Sequence, residues 1–113
     1  MKNVKKGIKP IPPTMRGKKR YINFELIGGE KLGENEVSKA VWDVFLKLYG
    51  EVGVARQKIW MIEFKKGNGI LRCSNETTEE VKAGLLFLKK VASTAVNPKI
   101  TLVSGSLRKL RKK

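Results

Sequence analysis

The chain has no histidine, one cysteine and one aspartate in 113 residues. Each scarcity removes a class of function. Without imidazole, the usual general base near neutral pH is missing, together with histidine-containing metal sites and serine–histidine arrangements. Asp43 falls within a helical stretch and the glutamates are dispersed, so nothing resembles the clustered carboxylates that hold two metal ions in a nuclease. No catalytic residue, metal site or cofactor is expected on the protein. The lone Cys73 cannot form an internal disulfide. It lies mid-strand in "ILRCS", where alternation sends Arg72 and Cys73 to opposite faces, and it reads as a small core residue rather than a reactive thiol. The glycines of "GEVGVA", Gly50 and Gly53, lack the lysine and spacing of a phosphate loop and read as a helix stop followed by a turn. No apolar run approaches the roughly 20 residues needed to span a bilayer, and no secretory leader pattern opens the chain. The expectation is a cytoplasmic protein with no membrane role.

What the chain does have is positive charge, 25 Lys and Arg against 10 Asp and Glu, for a formal net charge of +15. Its distribution is uneven. Residues 1–20 carry eight basic side chains and no acidic one, and residues 106–113 carry five and none, whereas 21–105 hold 12 basic and 10 acidic groups. The globular part is near balance and the two ends are cationic. Arms of one sign repel each other and contribute nothing to a core, so a polyanion that neutralises them is the natural partner.

Three regions follow: a basic, aperiodic segment at 1–10, an α+β domain at 11–105, and a basic tail at 106–113. Pro12 and Pro13 force an extended approach to the domain. From Arg20, Ile22, Phe24 and Leu26 alternate with Tyr21, Asn23 and Glu25 as in a half-buried strand, which Gly28 and Gly29 end. "NEVSKAVWDVFLKLYG" places Val37, Ala40, Val41, Val44, Phe45 and Leu48 on one helical stripe, with Asn35 as N-cap and Gly50 as the stop. Trp42, Leu46 and Tyr49 lie beside that stripe and make this helix greasier than one sheet requires. "KIWMIEFKK" and "GILRCS" read as strands joined through Gly67, Asn68 and Gly69 in an antiparallel hairpin. "TTEEVKAGLLFLKKVA" opens on a capping box, Thr77 to Glu80, and carries Val81, Gly84, Leu85, Leu88, Val91 and Ala92 on one face, leaving Leu86 and Phe87 outside it. "KITLVSG" is a last strand. Strand, helix, strand, strand, helix, strand is a βαββαβ order, a ferredoxin-like or RRM-like sandwich of four antiparallel strands with two helices on one face.

This scaffold hosts RNA binders, regulatory domains and enzymes alike. An RRM stacks bases on aromatic residues of its two central strands. Here "GILRCS" has no aromatic residue and Phe24 points to the core, which leaves Tyr21 as the one candidate platform. Phosphate and shape recognition suits the composition better, through Arg16, Lys18, Lys19, Arg20, Arg72, Arg108, Lys109 and Arg111. The first and last strands should be neighbours, with the tail from Gly105 and the start at Arg20 toward opposite ends of the pair. A ribosomal or general structured-RNA binder, and a small-molecule-binding regulatory domain, remain open on these features.

The segments "IPPTMRGKKRYINFEL", "LYGEVGVA", "IWMIEF", "GNGILRC" and "LVSGSLRKL", in that order over residues 11–111, resemble the archaeal ribonuclease P protein component 2 family, which is related to a subunit of eukaryotic nuclear ribonuclease P and MRP. The paired prolines with Arg16, Arg20 and Tyr21, and Ser104-Gly105 followed by Arg108, are the more specific parts. The resemblance implies a subunit of the enzyme that removes 5′ leaders from precursor tRNA, in which the RNA is the catalyst and Mg belongs to that RNA. It also implies a partner, protein component 3, the two forming a dimer of heterodimers that supports the RNA's catalytic domain. Trp42, Leu46, Leu86 and Phe87 are then either the surface for protein contacts or a widened core.

Overall fold

The computed structural model describes residues 19–106. The segment 1–10, the paired prolines, Arg16, Lys18, Arg108, Lys109 and Arg111 lie outside the described residues. The elements are β1 (Lys19–Ile27), α1 (Glu34–Gln57), β2 (Trp60–Lys65), β3 (Asn68–Ser74), a 3-10 turn (Asn75–Thr77), α2 (Thr78–Leu86), a short hairpin of β4 (Lys90–Val91) and β5 (Thr94–Ala95), and β6 (Asn97–Ser104). The four long strands form one antiparallel sheet in the order β2-β3-β1-β6, with the helices on one face. This is the ferredoxin-like arrangement that the element order implies.

The core lies between that face and the helices. Ile22, Phe24 and Leu26 of β1 are fully buried there, with Leu71 and Cys73 of β3, Met61 and Phe64 of β2, Val37, Val41 and Phe45 of α1, and Val81 and Leu85 of α2. The two helices meet closely because Gly84 has no side chain: a Cβ there would stand 2.7 Å from the Phe45 ring. In the β2–β3 hairpin, Lys66 and Gly67 both take positive φ, 52° and 82°, as a two-residue turn of the primed type requires. Asn68 and Gly69 are the first residues of β3 rather than part of the turn.

Both helices differ from their sequence expectation. α1 starts two residues earlier than an Asn35 cap would allow, because the Glu36 carboxylate reaches back to accept the Gly33 N–H at 3.0 Å. Gly50 breaks the helix, with φ 72° and ψ 176°, yet the chain resumes helical geometry to Gln57 and ends on Lys58 in the left-handed region. The Gly50–Gly53 stretch is thus a kink and not a stop. Resumption is held by α2: Arg56 donates to both Glu80 oxygens at 2.9 and 3.0 Å, and the buried Gln57 donates to Glu80 at 2.8 Å. The Gln57 hydrogen bond, followed by Arg56, holds the Glu80 carboxyl below its usual range despite some desolvation. Leu48 is exposed; Tyr49 takes the inward position, its hydroxyl donating to the Glu80 carbonyl at 2.6 Å and its ring 5.6 Å from that of Phe45.

These bonds also explain why no capping box forms at Thr77. Glu80 is engaged by α1, and the Thr77 hydroxyl pairs with that of Ser74 at 2.6 Å. α2 ends at Leu86 instead of running on toward Ala92. Leu88 and Val91 enter the core from a turn and a two-stranded hairpin, where Ala92 takes φ 54° and Val96 adds a further buried side chain. The helical spacing of these residues is real, but their burial is met by another path.

Because Gly50 occupies a conformation open almost solely to glycine, Gly50→Ala should cost about 1–3 kcal/mol even though a Cβ there meets no atom within 4 Å. Chemical denaturation checks it, and a smaller loss would show that α1 relaxes to a straight helix without penalty.

Candidate nucleic-acid interface

Residues directly opposite each other on antiparallel strands project to the same face of a sheet. On the face away from the helices, Trp60 stands opposite Arg72, Arg72 opposite Tyr21, and Tyr21 opposite Ser104. One row therefore crosses all four strands as Trp60–Arg72–Tyr21–Ser104. The next row is Glu63–Ile70–Asn23–Leu102, and the third is Lys65–Asn68–Glu25–Lys99. Carboxylates occur in the second and third rows but not in the first. Beyond the first row, toward the start of β1, Lys19 stands opposite Ser74 and is exposed.

Arg20 belongs to the other face. Its opposite residue is the fully buried Cys73, and its guanidinium reaches the chain at Gly105, where a built Cβ would come within 2.6 Å of Nη1. Gly105 thus makes the seat for Arg20. Burial pushes the Cys73 thiol up in pKa, with smaller opposing effects from Thr78 and the Arg20 charge, so Cys73 is an inert core residue.

The start of β1 and the end of β6 lie at the same end of their pair, Tyr21 opposite Ser104, and not at opposite ends. Antiparallel pairing requires this: one strand begins where its neighbour finishes. The described chain leaves this end of the sheet twice, before Lys19 and after Ser106, and the sequence continues with Arg16 and Lys18 on one side and Arg108, Lys109 and Arg111 on the other. Of the expected RNA-binding residues, the structure brings Lys19, Arg20, Tyr21 and Arg72 to one end of the sheet, with Arg20 on the helix side. The remaining five lie outside the described residues.

Arg72 is half-buried, and among the described residues its Nε is enclosed without a hydrogen-bond partner. Trp60, which stands in its row, is 58% exposed. Sequence reasoning passed over Trp60 because it looked for aromatic residues on the two central strands. The alternation Ile59, Trp60, Met61 marks it as outward-facing, but only the register places it beside Arg72. Among the residues set aside for protein contacts, Leu46, Leu86 and Phe87 are 42, 46 and 60% exposed, while Trp42 is half-buried, packs against the core and shares a cleft of about 260 Å³ with Trp60, Met61 and the first turns of α1. Among the described residues, no group of three or more His, Cys, Asp or Glu side chains comes together to hold a metal ion.

The family model for the Rpp14/Pop5 family matches residues 20–113. The chain belongs to the Rpp14/Pop5 family. Similar proteins include ribonuclease P protein component 2 of Thermococcus kodakarensis, 37% identical over 93% of this chain and 89% of that protein. The same component of Methanocaldococcus jannaschii is 36% identical over 92% of this chain and 78% of its own length. A chain in a cryo-EM structure of yeast ribonuclease MRP superposes with a TM-score of 0.65 over 89% of this chain and 80% of its own, at 12% identity, a likeness of fold. The Rpp14/Pop5 match takes in β1 from Arg20 and β6, the two strands that pair at the charged end of the sheet.

The seat at Gly105 can be tested apart from the charge it holds. Arg20→Ala should flatten the slope of log K for RNA against log salt by about 0.7 to 0.9, the contribution of one phosphate contact. Gly105→Ala should leave the melting temperature near the parent's, since the displaced group is the far end of a flexible side chain, yet weaken RNA binding by moving the guanidinium. If Gly105→Ala bound RNA like the parent, the position of Arg20 would not matter.

Proposed function

We propose that this chain is a protein subunit of ribonuclease P that supports the catalytic RNA in removing 5′ leaders from precursor tRNA. The observation that carries the reading is similarity to ribonuclease P protein component 2 along nearly the whole chain. The geometry supports it, because strand pairing brings Lys19 and Arg20 of β1 and Arg72 of β3 to one end of the sheet, a concentration of charge suited to phosphates. In this role Lys19, Arg20 and Arg72 contact RNA with Arg16, Lys18, Arg108, Lys109 and Arg111, and Tyr21 lies beside them. The protein itself is not the catalyst: it lacks histidine, and its glutamates are dispersed. Mg acts on the RNA, the precursor tRNA is met within the holoenzyme, and the assembly works in the cytoplasm. The cleft beside Trp42 encloses about 260 Å³, less than the roughly 300–1,000 Å³ of typical small-molecule sites.

The protein partner in this reading is component 3, in a dimer of heterodimers. Exposed apolar side chains on the helices and at the end of α2, Leu46, Leu86 and Phe87, supply the contact, with Trp42 at the edge of the core.

Rigorously purified protein should not cleave precursor tRNA. Added with component 3 to the catalytic RNA, it should raise cleavage at low magnesium, because cationic side chains replace part of the counterion screening that close-packed RNA helices need. A general RNA binder would associate with the RNA without raising the rate, and that result would overturn the reading.

Leu86→Ala with Phe87→Ala should leave folding nearly intact, given the exposure of both residues, and weaken co-purification with component 3 by about 2 kcal/mol or more if they include a central anchor. Retention of full partner binding would remove them from the interface.

A further inference from the structure

The first row of the open sheet face, Trp60–Arg72–Tyr21, is not explained by folding. Trp60 is 58% exposed on an edge strand and contributes nothing to the core cluster, and the guanidinium beside it keeps an enclosed Nε without a partner among the described residues. Strands in a sheet lie about 4.8 Å apart, so Trp60 and Tyr21, two strands apart, stand about 10 Å from each other with Arg72 between them. Two aromatic faces flanking a planar cation make a platform on which successive bases can lie, each ring accepting a base face and the guanidinium a base or a phosphate. Lys19 adjoins the row on the same face and Arg20 stands at the same end of the sheet on the helix side, while Glu63 and Glu25 lie in the rows behind and Glu34 lines the cleft at the Trp60 end. The cations at the Tyr21 end of the row, Lys19 and Arg72, favour an anionic strand there over an acidic protein surface.

We propose that Trp60 and Tyr21 stack unpaired bases of an RNA strand across Arg72, with the strand's phosphates running along Lys19 toward Arg20. The inference deepens the ribonuclease P reading and takes from it the identity of the RNA. It differs from phosphate and shape recognition in requiring bases. RRM sheets stack two or three bases on their central strands; here the platform is moved outward, from the central β1 across β3 to the edge strand β2.

The full-length chain with Trp42→Phe retains Trp60 as its single tryptophan. Its fluorescence should be quenched by an oligouridylate, and not by a strand of the same length and charge made of abasic nucleotides. In otherwise unchanged protein, Trp60→Ala should weaken binding to ribonuclease P RNA by roughly five- to a hundredfold, the range for loss of one stacked base. The salt slope should stay the same, because no phosphate contact is lost. Trp60→Phe, which keeps a ring, should bind within a few-fold of the parent, and Tyr21→Ala should fall as Trp60→Ala does. Equal quenching by base-bearing and abasic strands, or parent-like affinity in both alanine variants with their folding verified, would overturn the proposal. The ribonuclease P reading stands or falls on a separate arm: parent protein that binds ribonuclease P RNA no more tightly than an unrelated RNA of equal length would count against that reading, while oligouridylate quenching would still decide the stacking platform.

Discussion

The pairing of β1 with β6 sets the layout of this molecule. β1 is a central strand whose inward side chains, Ile22, Phe24 and Leu26, are wholly buried, so its register cannot slip by one residue without turning those groups out to solvent. With β1 fixed, antiparallel pairing sets Tyr21 against Ser104 and brings the first and last described residues to one end of the sheet. A bulge between Asn23 and Phe24 is absorbed on the β6 side, where Thr101 donates to the Asn23 carbonyl at 2.9 Å. Lys19 and Arg20 of β1 and Arg72 of β3 thereby come to one end of the sheet. Cations set this close repel one another, a cost that an anionic partner would relieve.

Alternation along β1, β2 and β3 was readable from the sequence, and with it the fold, because period-two burial on one face leaves few other ways to arrange βαββαβ. Helix ends were less readable, for a physical reason visible at Glu80. Thr77 and Glu80 have the spacing of a capping box, but Glu80 has stronger partners in Arg56 and Gln57, which only the folded chain brings near. The same long-range contacts explain why Gly50 kinks α1 without ending it. At the candidate interface, residue types were legible and their grouping was not. Tyr21 and Arg72 stood out as outward-facing, whereas Trp60 joins them only through a register that spans three strands. The convergence of the start of β1 with the end of β6 followed from strand direction alone and was nevertheless misassigned in the sequence reading, which placed them apart.

Arg20 shows how a cation is kept next to a core. It lies on the helix side of the sheet, across from a fully buried cysteine, where a charge without solvent would be costly. Gly105 resolves the conflict by leaving room for the guanidinium at the sheet's end, half-exposed rather than enclosed. A basic residue thus ends the hydrophobic row of β1 without entering it.

A two-layer fold has two broad outer surfaces, and here they differ in chemistry. The open sheet face carries aromatic rings and a guanidinium at its charged end, while the helical layer carries Leu46, Leu86 and Phe87. The inward sides of both layers are committed to one core, so neither outer surface can be changed in shape without cost to the other through Phe24, Phe45 and Leu85, which fill the space between. With that core filled, the two surfaces could serve different partners at once, as the proposed role requires. A partner seated on the helices leaves the sheet end free, and an RNA strand along Lys19, Arg72 and Trp60 leaves the helices free, so one small domain can hold a protein and an RNA in fixed relation without a flexible joint between them.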